Sequence, residues 1–432
     1  MIKEEQNQSL AICIVGLGYV GLPLAVEFSK HFKTTGFDIN KNRVNEISLG
    51  KDRTNEIDEL TLKSCLSENP EKGKGLKVVY DSEYIKECNF YIITVPTPVD
   101  KNMQPDLRPL IKASEEIGKI LKPGDYVVYE STVYPGATEE ICLPILEKYS
   151  SLELNKDFFI GYSPERINPG DKLHTVSKIQ KVTSGSNEHA SRHIDSIYAK
   201  VITAGTFRAI SIKVAEAAKV IENTQRDINI AFVNELSKIC QLLQISVYDV
   251  LDAAATKWNF LKFQPGLVGG HCIGVDPYYL AQKAQQLGYY PEIILSGRRL
   301  NEGMGQHLAD TFIKALIKNG VKLLNAKVLV LGITFKENCP DIRNSGVINV
   351  ISRLKDFELD VEIHDPFADS KEVFDEYNLE LTENLSNDYD GIFIAVAHRQ
   401  FVDIDILKLT NSKNPVVFDI KNVSTYPHRQ TL

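Results

Sequence analysis

Short apolar runs alternate with stretches of helical periodicity along this chain, and their order predicts the fold. Ala11–Val15 is an uninterrupted apolar run, as a strand buried on both faces requires. A helical pattern follows over Tyr19–His31, and a second strand, Thr34–Asp38, ends on an acid. Phe90–Val95 and Tyr126–Tyr129 are further short apolar runs that stop at loops. Strands alternating with helices predict an open, mostly parallel sheet.

The pattern then changes. From Thr206 to Gln264 there is neither Gly nor Pro, and Ser211–Leu243 carries apolar residues at helical spacing. One helix of roughly 30 residues is predicted, with Asn223-Thr224 the step at which it would break if it were two. After Pro291 a helical stretch leads to a second α/β block, with strands expected at Ala326–Leu331, Val361–His364, Gly391–Val396 and Pro415–Ile420. The expectation is an α/β protein of two Rossmann-like, doubly wound lobes joined by a long central helix.

At 432 residues and about 150 residues per domain, the chain has room for two or three domains. A net charge of -8 lacks the basic footprint of a nucleic-acid binder, while leaving an anionic small ligand open. The seven cysteines are an odd set, widely spaced, without C-x-x-C, which argues against a disulfide framework or a metal site. Met1–Leu10 has no apolar signal core, and no apolar run approaches the ~18 residues of a membrane span. A cytoplasmic protein without a membrane partner is expected.

Gly16-Leu17-Gly18-Tyr19-Val20-Gly21 is a G-x-G-x-x-G sequence that follows one predicted strand and opens a helix, with Asp38 ending the next strand 17 residues after Gly21. That context is the dinucleotide fingerprint. Gly16 permits the tight turn, Gly18 close approach of a pyrophosphate, and Gly21 close packing of helix on strand. The helix N-terminus offers free N–H groups to the phosphates. Asp38 suits two ribose hydroxyls and repels a 2′-phosphate, which favours NAD over NADP. Lys41 and Arg43 lie nearby, and Arg43 joins the cofactor candidates. Thr97 in Val95-Pro96-Thr97-Pro98 and Thr132 in Glu130-Ser131-Thr132-Val133 follow strands on the same carboxyl edge; each hydroxyl meets the ligand or caps a helix.

Gly269-Gly270-His271-Cys272-Ile273-Gly274-Val275-Asp276-Pro277 sets one thiol among three glycines. Such a loop lets substrate approach the backbone, and a thiolate there can attack an aldehyde carbon; a flexible loop with an incidental cysteine is the alternative. Lys219 and Asn223 share a helix face at i and i+4. A half-buried Lys can lose its proton or stabilise an oxyanion, where a solvated Lys does neither. Glu165 and Arg166, in Ser163-Pro164-Glu165-Arg166, are a water-activating base and an anion partner, or surface residues. Lys336 and Arg343, with Asp341 between them, bind phosphate or form salt bridges.

Together these stretches resemble the UDP-glucose/GDP-mannose dehydrogenase family over nearly the whole chain: GLGYVGLP, VPTP, ESTVYPG, SPERINPG, KVIEN, VGGHCIGVDP and GITFKENCPDIRNS, in matching order. Within it the chain is most similar to the branch acting on N-acetylated sugars. The resemblance implies an NAD-binding Rossmann domain over 1–205, a central helical domain with a dimer interface and the catalytic cysteine over 206–310, and a UDP-sugar-binding domain over 311–432. It implies Cys272 as nucleophile, with Lys219, Asn223 and Asp276 around the reacting carbon and Glu165 and Thr132 handling water. Gly16, Gly18, Tyr19, Val20, Gly21, Asp38, Arg43, Thr97, Thr132 and Lys336 would meet NAD. Glu165, Arg166, Ile167, Lys219, Asn223, Arg226, Gly269, Phe335, Lys336 and Arg343 would meet the UDP-sugar.

The reaction so implied is a four-electron oxidation of the C6 hydroxymethyl of a UDP-N-acetylhexosamine through a Cys272 thioester, in a homodimer or higher homo-oligomer serving capsular or surface polysaccharide synthesis. UDP-N-acetylglucosamine is favoured over UDP-N-acetylgalactosamine, UDP-N-acetylmannosamine and UDP-glucose. Relatives acting on UDP-glucose have a second Glu four residues after the first, where Pro169 stands here. Thr256–Phe260 also departs from the basic stretch some relatives extend across the dimer, with Lys257 as substitute. The rival readings are a two-electron hydroxyacid dehydrogenase, which also pairs a Rossmann lobe with a Lys-x-x-x-Asn helix, and a nucleotide-sugar binding or redox-sensing protein without turnover.

Overall fold

A computed structural model describes residues 10–67, 74–99, 105–167, 173–270, 273–412 and 415–432. His271, Cys272 and Pro169, singled out above, lie outside the described residues. Two compact units emerge: residues up to Glu222 with Tyr278–Leu287, and Asn223–Pro277 with Gly288–Leu432.

In the first unit six parallel strands form one sheet: β1 Ala11–Val15, β2 Lys33–Phe37, β3 Gly75–Val79, β4 Phe90–Ile93, β5 Tyr126–Tyr129 and β6 Phe159–Tyr162. Their order is β3-β2-β1-β4-β5-β6, the doubly wound dinucleotide order. β1 pairs on both sides, Ile12 opposite Thr34 in β2 and Phe90 in β4, and all five of its residues are buried. Its apolar run is thus explained by helices covering both sheet faces. On one face Ile194, Ile197 and Tyr198, from the helix Glu188–Val201, join Ile12, Ile14 and Phe28 in the core.

The first helix, Gly21–Ser29, is shorter than its periodicity suggested because Tyr19 and Val20 belong to the turn. β2 ends at Phe37, one residue before Asp38, which frees that carboxylate to accept hydrogen bonds from the loops. β3, β6 and a parallel pair, β7 Lys181–Thr183 with β8 Thr206–Arg208, have no long apolar run to announce them. β6 contains Gly161, where a Cβ would lie 2.5 Å from the Ser184 carbonyl oxygen, so close chain approach there costs the strand an apolar residue.

The long helix runs unbroken over Ile212–Leu243, 32 residues, through the Asn223-Thr224 step. In the second unit four parallel strands, β9 Lys327–Leu331, β10 Asp360–His364, β11 Gly391–Ile394 and β12 Val416–Asp419, stand in the order β10-β9-β11-β12. Phe312 meets Phe393 edge-on at 5.5 Å, and Phe393 stacks on Phe418 at 5.5 Å, contacts that add to area burial. Among the described residues no helix is long and apolar enough to cross a membrane.

One buried side chain fixes the loop that leads toward the glycine-rich segment. Asn234 donates to the Gly266 carbonyl at 3.0 Å and accepts from the Gly266 N–H at 2.7 Å, while also donating to Asn301 Oδ1 at 2.9 Å. The buried N–H and carbonyl of Gly266 therefore both depend on one side chain. Asn234→Ala is expected to destabilise by about 2–4 kcal/mol, because it orphans a buried donor and acceptor together. Denaturant titration checks this as a lowered midpoint at unchanged slope.

Candidate active site

The fingerprint loop leaves β1 through Gly16, whose φ of +95° is a left-handed value that glycine adopts without strain. The Gly16 N–H donates to the Phe37 carbonyl at 2.8 Å. Asp38 clasps the loop: its Oδ2 accepts from the Leu17 N–H and its Oδ1 from the Asn40 N–H, both at 2.8 Å. A Cβ on Gly21 would fall 1.8 Å from the Gly16 carbonyl oxygen and 2.5 Å from Thr94 Oγ1, so no other residue lets this helix start against this turn. Around Gly18 a Cβ would meet nothing within 4 Å among the described residues; its openness serves something outside the fold. Val20, at the N-cap, brings no capping side chain to the helix, so the positive end of the helix dipole faces the loop before it uncovered by a side chain. Open backbone, uncapped helix and carboxylate clasp fit a dinucleotide.

The loops after β4 and β5 are clipped together on the same edge. Thr97 Oγ1 donates to the Thr132 carbonyl at 2.7 Å and Ser131 Oγ to the Val95 carbonyl at 2.6 Å. Tyr279 donates to the Thr97 carbonyl at 2.7 Å. From the long helix, buried Glu216 accepts from the N–H groups of Gly136 and Thr138; burial pushes its carboxyl up to about 7. Thr132 is left half-buried, and Lys219, one turn further along the helix, is buried at 8% exposure.

Glu165 is buried after β6. Its Oε1 accepts from the N–H groups of Arg166 and Ile167 at 2.6 and 2.7 Å, and its Oε2 from Lys181 Nζ at 2.6 Å. Burial opposes the charge, but Lys181 and those N–H groups outweigh it and hold the Glu165 carboxyl below its ordinary range. Lys181 also reaches Glu130 Oε2 at 2.7 Å. Burial, with the Glu165 charge, pushes the Glu130 carboxyl up to about 7 against the pull of Lys181.

The second unit carries its own set. Asn223 donates to Asp276 Oδ2 at 2.5 Å, and Asp276 is buried at the start of the helix Asp276–Gln286. Gly269 and Gly270 are held against the loop after β9: a Cβ on Gly269 would lie 2.7 Å from the Asn344 carbonyl oxygen, and one on Gly270 2.8 Å from the Phe335 ring. Gly270 has a φ of +89°. Lys336 Nζ stands 5.7 Å from the Phe335 ring centre. Arg226 is exposed.

Four of these side chains already have partners within the protein. Arg43 is buried and donates to the Leu17 carbonyl at 2.9 Å, Glu46 at 3.0 Å and Asp52 at 2.7 Å, which braces the fingerprint loop. Arg166 pairs with Glu222 and the Gln180 carbonyl, so its anion belongs to the protein. The Thr97 hydroxyl proton goes to a backbone carbonyl, leaving that oxygen an acceptor only. Arg343 makes a bidentate pair with Asp341.

Motif reading passed over Glu130, Lys181, Glu216 and Lys421. Lys421, half-buried after β12, has its ammonium pushed down by burial, with Glu337 pulling it back, and it reaches to within 2.8 Å of where a Gly266 Cβ would be. A charged residue immediately beyond an all-apolar strand, as at Glu130, was the available signal.

Three family models match in order along the chain: UDP-glucose/GDP-mannose dehydrogenase family, NAD binding domain over 10–202, central domain over 213–303 and UDP binding domain over 329–426. The chain is 53% identical over 96% of its length to a UDP-N-acetyl-D-glucosamine 6-dehydrogenase of Pseudomonas aeruginosa, covering 97% of that protein. It is 55% identical over 95% of its length to one of Salmonella typhi, covering 96%. A solved UDP-D-ManNAc dehydrogenase of Pyrococcus horikoshii superposes with a TM-score of 0.87 at 29% identity, over 98% of this chain and 99% of that one.

The two glycines of the loop should separate folding from binding. Gly21→Ala drives a methyl into the Gly16 carbonyl and should lower stability by about 3 kcal/mol or more. Gly18→Ala should melt as the unmodified protein does, yet bind the dinucleotide at least about tenfold more weakly, because the methyl occupies the pyrophosphate's approach. Thermal melting with a nucleotide titration reads both.

Proposed function

This chain belongs to the UDP-glucose/GDP-mannose dehydrogenase family, an NAD-dependent one, and from that premise we propose that it oxidises the C6 hydroxymethyl of UDP-N-acetylglucosamine to the uronate. Sequence identity supports the sugar: relatives named for UDP-N-acetylglucosamine share more than half their aligned residues with this chain, and the mannosamine structure fewer than a third.

NAD, when bound, would accept the two electrons of each oxidation, one NAD molecule for each step. The chain does the rest. Residues 1–205 hold the dinucleotide and 311–432 the UDP moiety, toward which Lys336, Arg343 and Lys421 supply positive charge. Lys219, desolvated in the long helix, takes the C6 hydroxyl proton directly or through a water. The sulfur of Cys272 then adds to the aldehyde carbon, giving a thiohemiacetal that the second oxidation converts to a thioester. Covalent capture keeps the aldehyde from leaving between steps. Asn223 and Asp276, already hydrogen-bonded, frame the reacting carbon. Water adds to the acyl carbon, the C–S bond breaks, and uronate leaves as the thiol is restored. Glu165, held ionised by its N–H and Lys181 donors, suits the hydrogen bond that aims this water. The acidic product is of the kind that capsular or surface polysaccharide synthesis consumes.

Apolar side chains left in water along one face of the second unit's stretch of the long helix, Phe232 at 54%, Ile239 at 46% and Leu243 at 62% exposure, at i, i+7 and i+11, support a homodimer or larger assembly, since an apolar stripe in water marks an interface. Lys257, beside Trp258, is the candidate to reach a second copy. Sedimentation should give a mass of two or more chains.

Turnover distinguishes the rival chemistry. UDP-N-acetylglucosamine should yield two NADH per uronate, where a two-electron hydroxyacid dehydrogenase yields one and a binding protein none. Cys272→Ser should lower uronate formation by about a thousandfold or more while the first oxidation persists; uronate at the unmodified rate from that variant would sink the thioester.

A further inference from the structure

At the carboxyl edge of the six-stranded sheet, one ammonium stands between two carboxylates. Lys181, the first residue of β7, places Nζ 2.7 Å from Glu130 Oε2 and 2.6 Å from Glu165 Oε2. All three are withdrawn from solvent, with exposures of 2% for Lys181, 2% for Glu130 and 6% for Glu165. Tyr198, from the helix packed beneath, donates its hydroxyl to Glu130 Oε1. Arg166, on the same loop as Glu165, is paired with Glu222. With every acid ionised the Glu130–Lys181–Glu165 group carries one uncompensated negative charge in a buried setting, which costs heavily. A salt bridge made only for stability needs one acid, not two.

We propose that Lys181 and Glu130 are positioning residues for Glu165: Lys181 fixes the carboxylate that meets the hydrolytic water, and Glu130 competes with it for the same ammonium. The proposal rests on the role given to Glu165 above. Glu165 receives three donors, two of them backbone N–H groups that cannot turn away, whereas Glu130 receives Lys181 and the Tyr198 hydroxyl. Glu165 is therefore the acid that stays ionised and Glu130 the one that keeps a proton near neutrality. Should Glu165 take up a proton in the cycle, the Lys181 charge falls wholly to Glu130, which stabilises its ionised form. The group thus tolerates one proton on either acid at little cost in net charge.

The two partners act in different pH ranges, which mere packing would not do. Glu130 is neutral where Glu165 titrates and draws on the ammonium only once it ionises near 7, so Glu130→Gln should remove an inflection in kcat with UDP-N-acetylglucosamine near pH 7 and leave the acid limb in place. Lys181→Met leaves Glu165 buried without its cation; the limb should move about one unit or more up, with kcat at pH 7 about tenfold lower and KM within about twofold. Lys181→Arg should restore both toward the unmodified values. An acid limb that stays put in Lys181→Met, or an inflection near pH 7 that survives Glu130→Gln, overturns the proposal.

Stability against pH gives a readout that needs no substrate. An acid whose folded pKa lies above its unfolded one binds its proton more tightly when folded, so stability falls as pH rises between the two values. The Glu130 carboxyl, raised to about 7, should make melting temperature fall between pH 5 and 7, and Glu130→Gln should abolish that part of the fall. The depressed Glu165 carboxyl acts only below its ordinary range, outside this window. If no UDP-sugar is turned over, the proposed reaction fails on its own, and the melting series alone decides whether the shared proton exists; equal slopes in the two proteins refute it.

Discussion

How near a helix can come to the strand before it governs the whole cofactor end of this protein. The Gly21 backbone lies so close to the Gly16 carbonyl that a methyl group would overlap it. Only that contact lets the helix begin five residues after the strand's turn, with no side chain capping its positive end. The second lobe repeats the turn without the contact. Gly332 has a φ of +93°, beside +95° at Gly16. Its N–H donates to the His364 carbonyl at 2.8 Å, and Asp365 Oδ2 accepts from the Ile333 N–H at 2.7 Å, as Asp38 does from Leu17. At the offset of Gly21, however, stands Glu337, and the next helix waits until Val347. The intervening residues spread into a loop carrying Phe335, Lys336 and Arg343. One strand–turn–acid device thus serves two ends: a helix begun tight against the turn in the first lobe, and a side-chain-bearing loop in the second.

Much of this was legible in the chain. The glycine spacing, the acid beyond the second strand and the long run without Gly or Pro are local signals, and the predicted strands and the helices expected at Tyr19–His31 and Ser211–Leu243 survive with their ends moved by at most two residues. What stayed hidden is long-range or short. β7 spans three residues and opens on Lys181, a residue that reads as surface until the fold brings Glu130, 51 positions earlier, to its side. The partners of Arg43 stayed hidden for the same reason: Asp52 and Glu46 claim its guanidinium through contacts that no spacing announces. Glu165 was singled out without its setting: a loop carboxylate in a Ser-Pro-Glu-Arg stretch gives no hint of an ammonium 2.6 Å away.

The buried acids divide by what they accept, and the division assigns labour. Asp38, Asp365 and Glu216 accept backbone N–H groups and so hold loops in shape; Asp365 is held at about 2 against its burial by His398 and those donors. Glu165 accepts backbone N–H groups and an ammonium together. A carboxylate fixed from both sides and held ionised is a weak proton acceptor, because the donors that stabilise its charge must be forgone on protonation. It is a good orienter for the same reason, since its lone pairs are stationary and aiming a water takes no reorganisation.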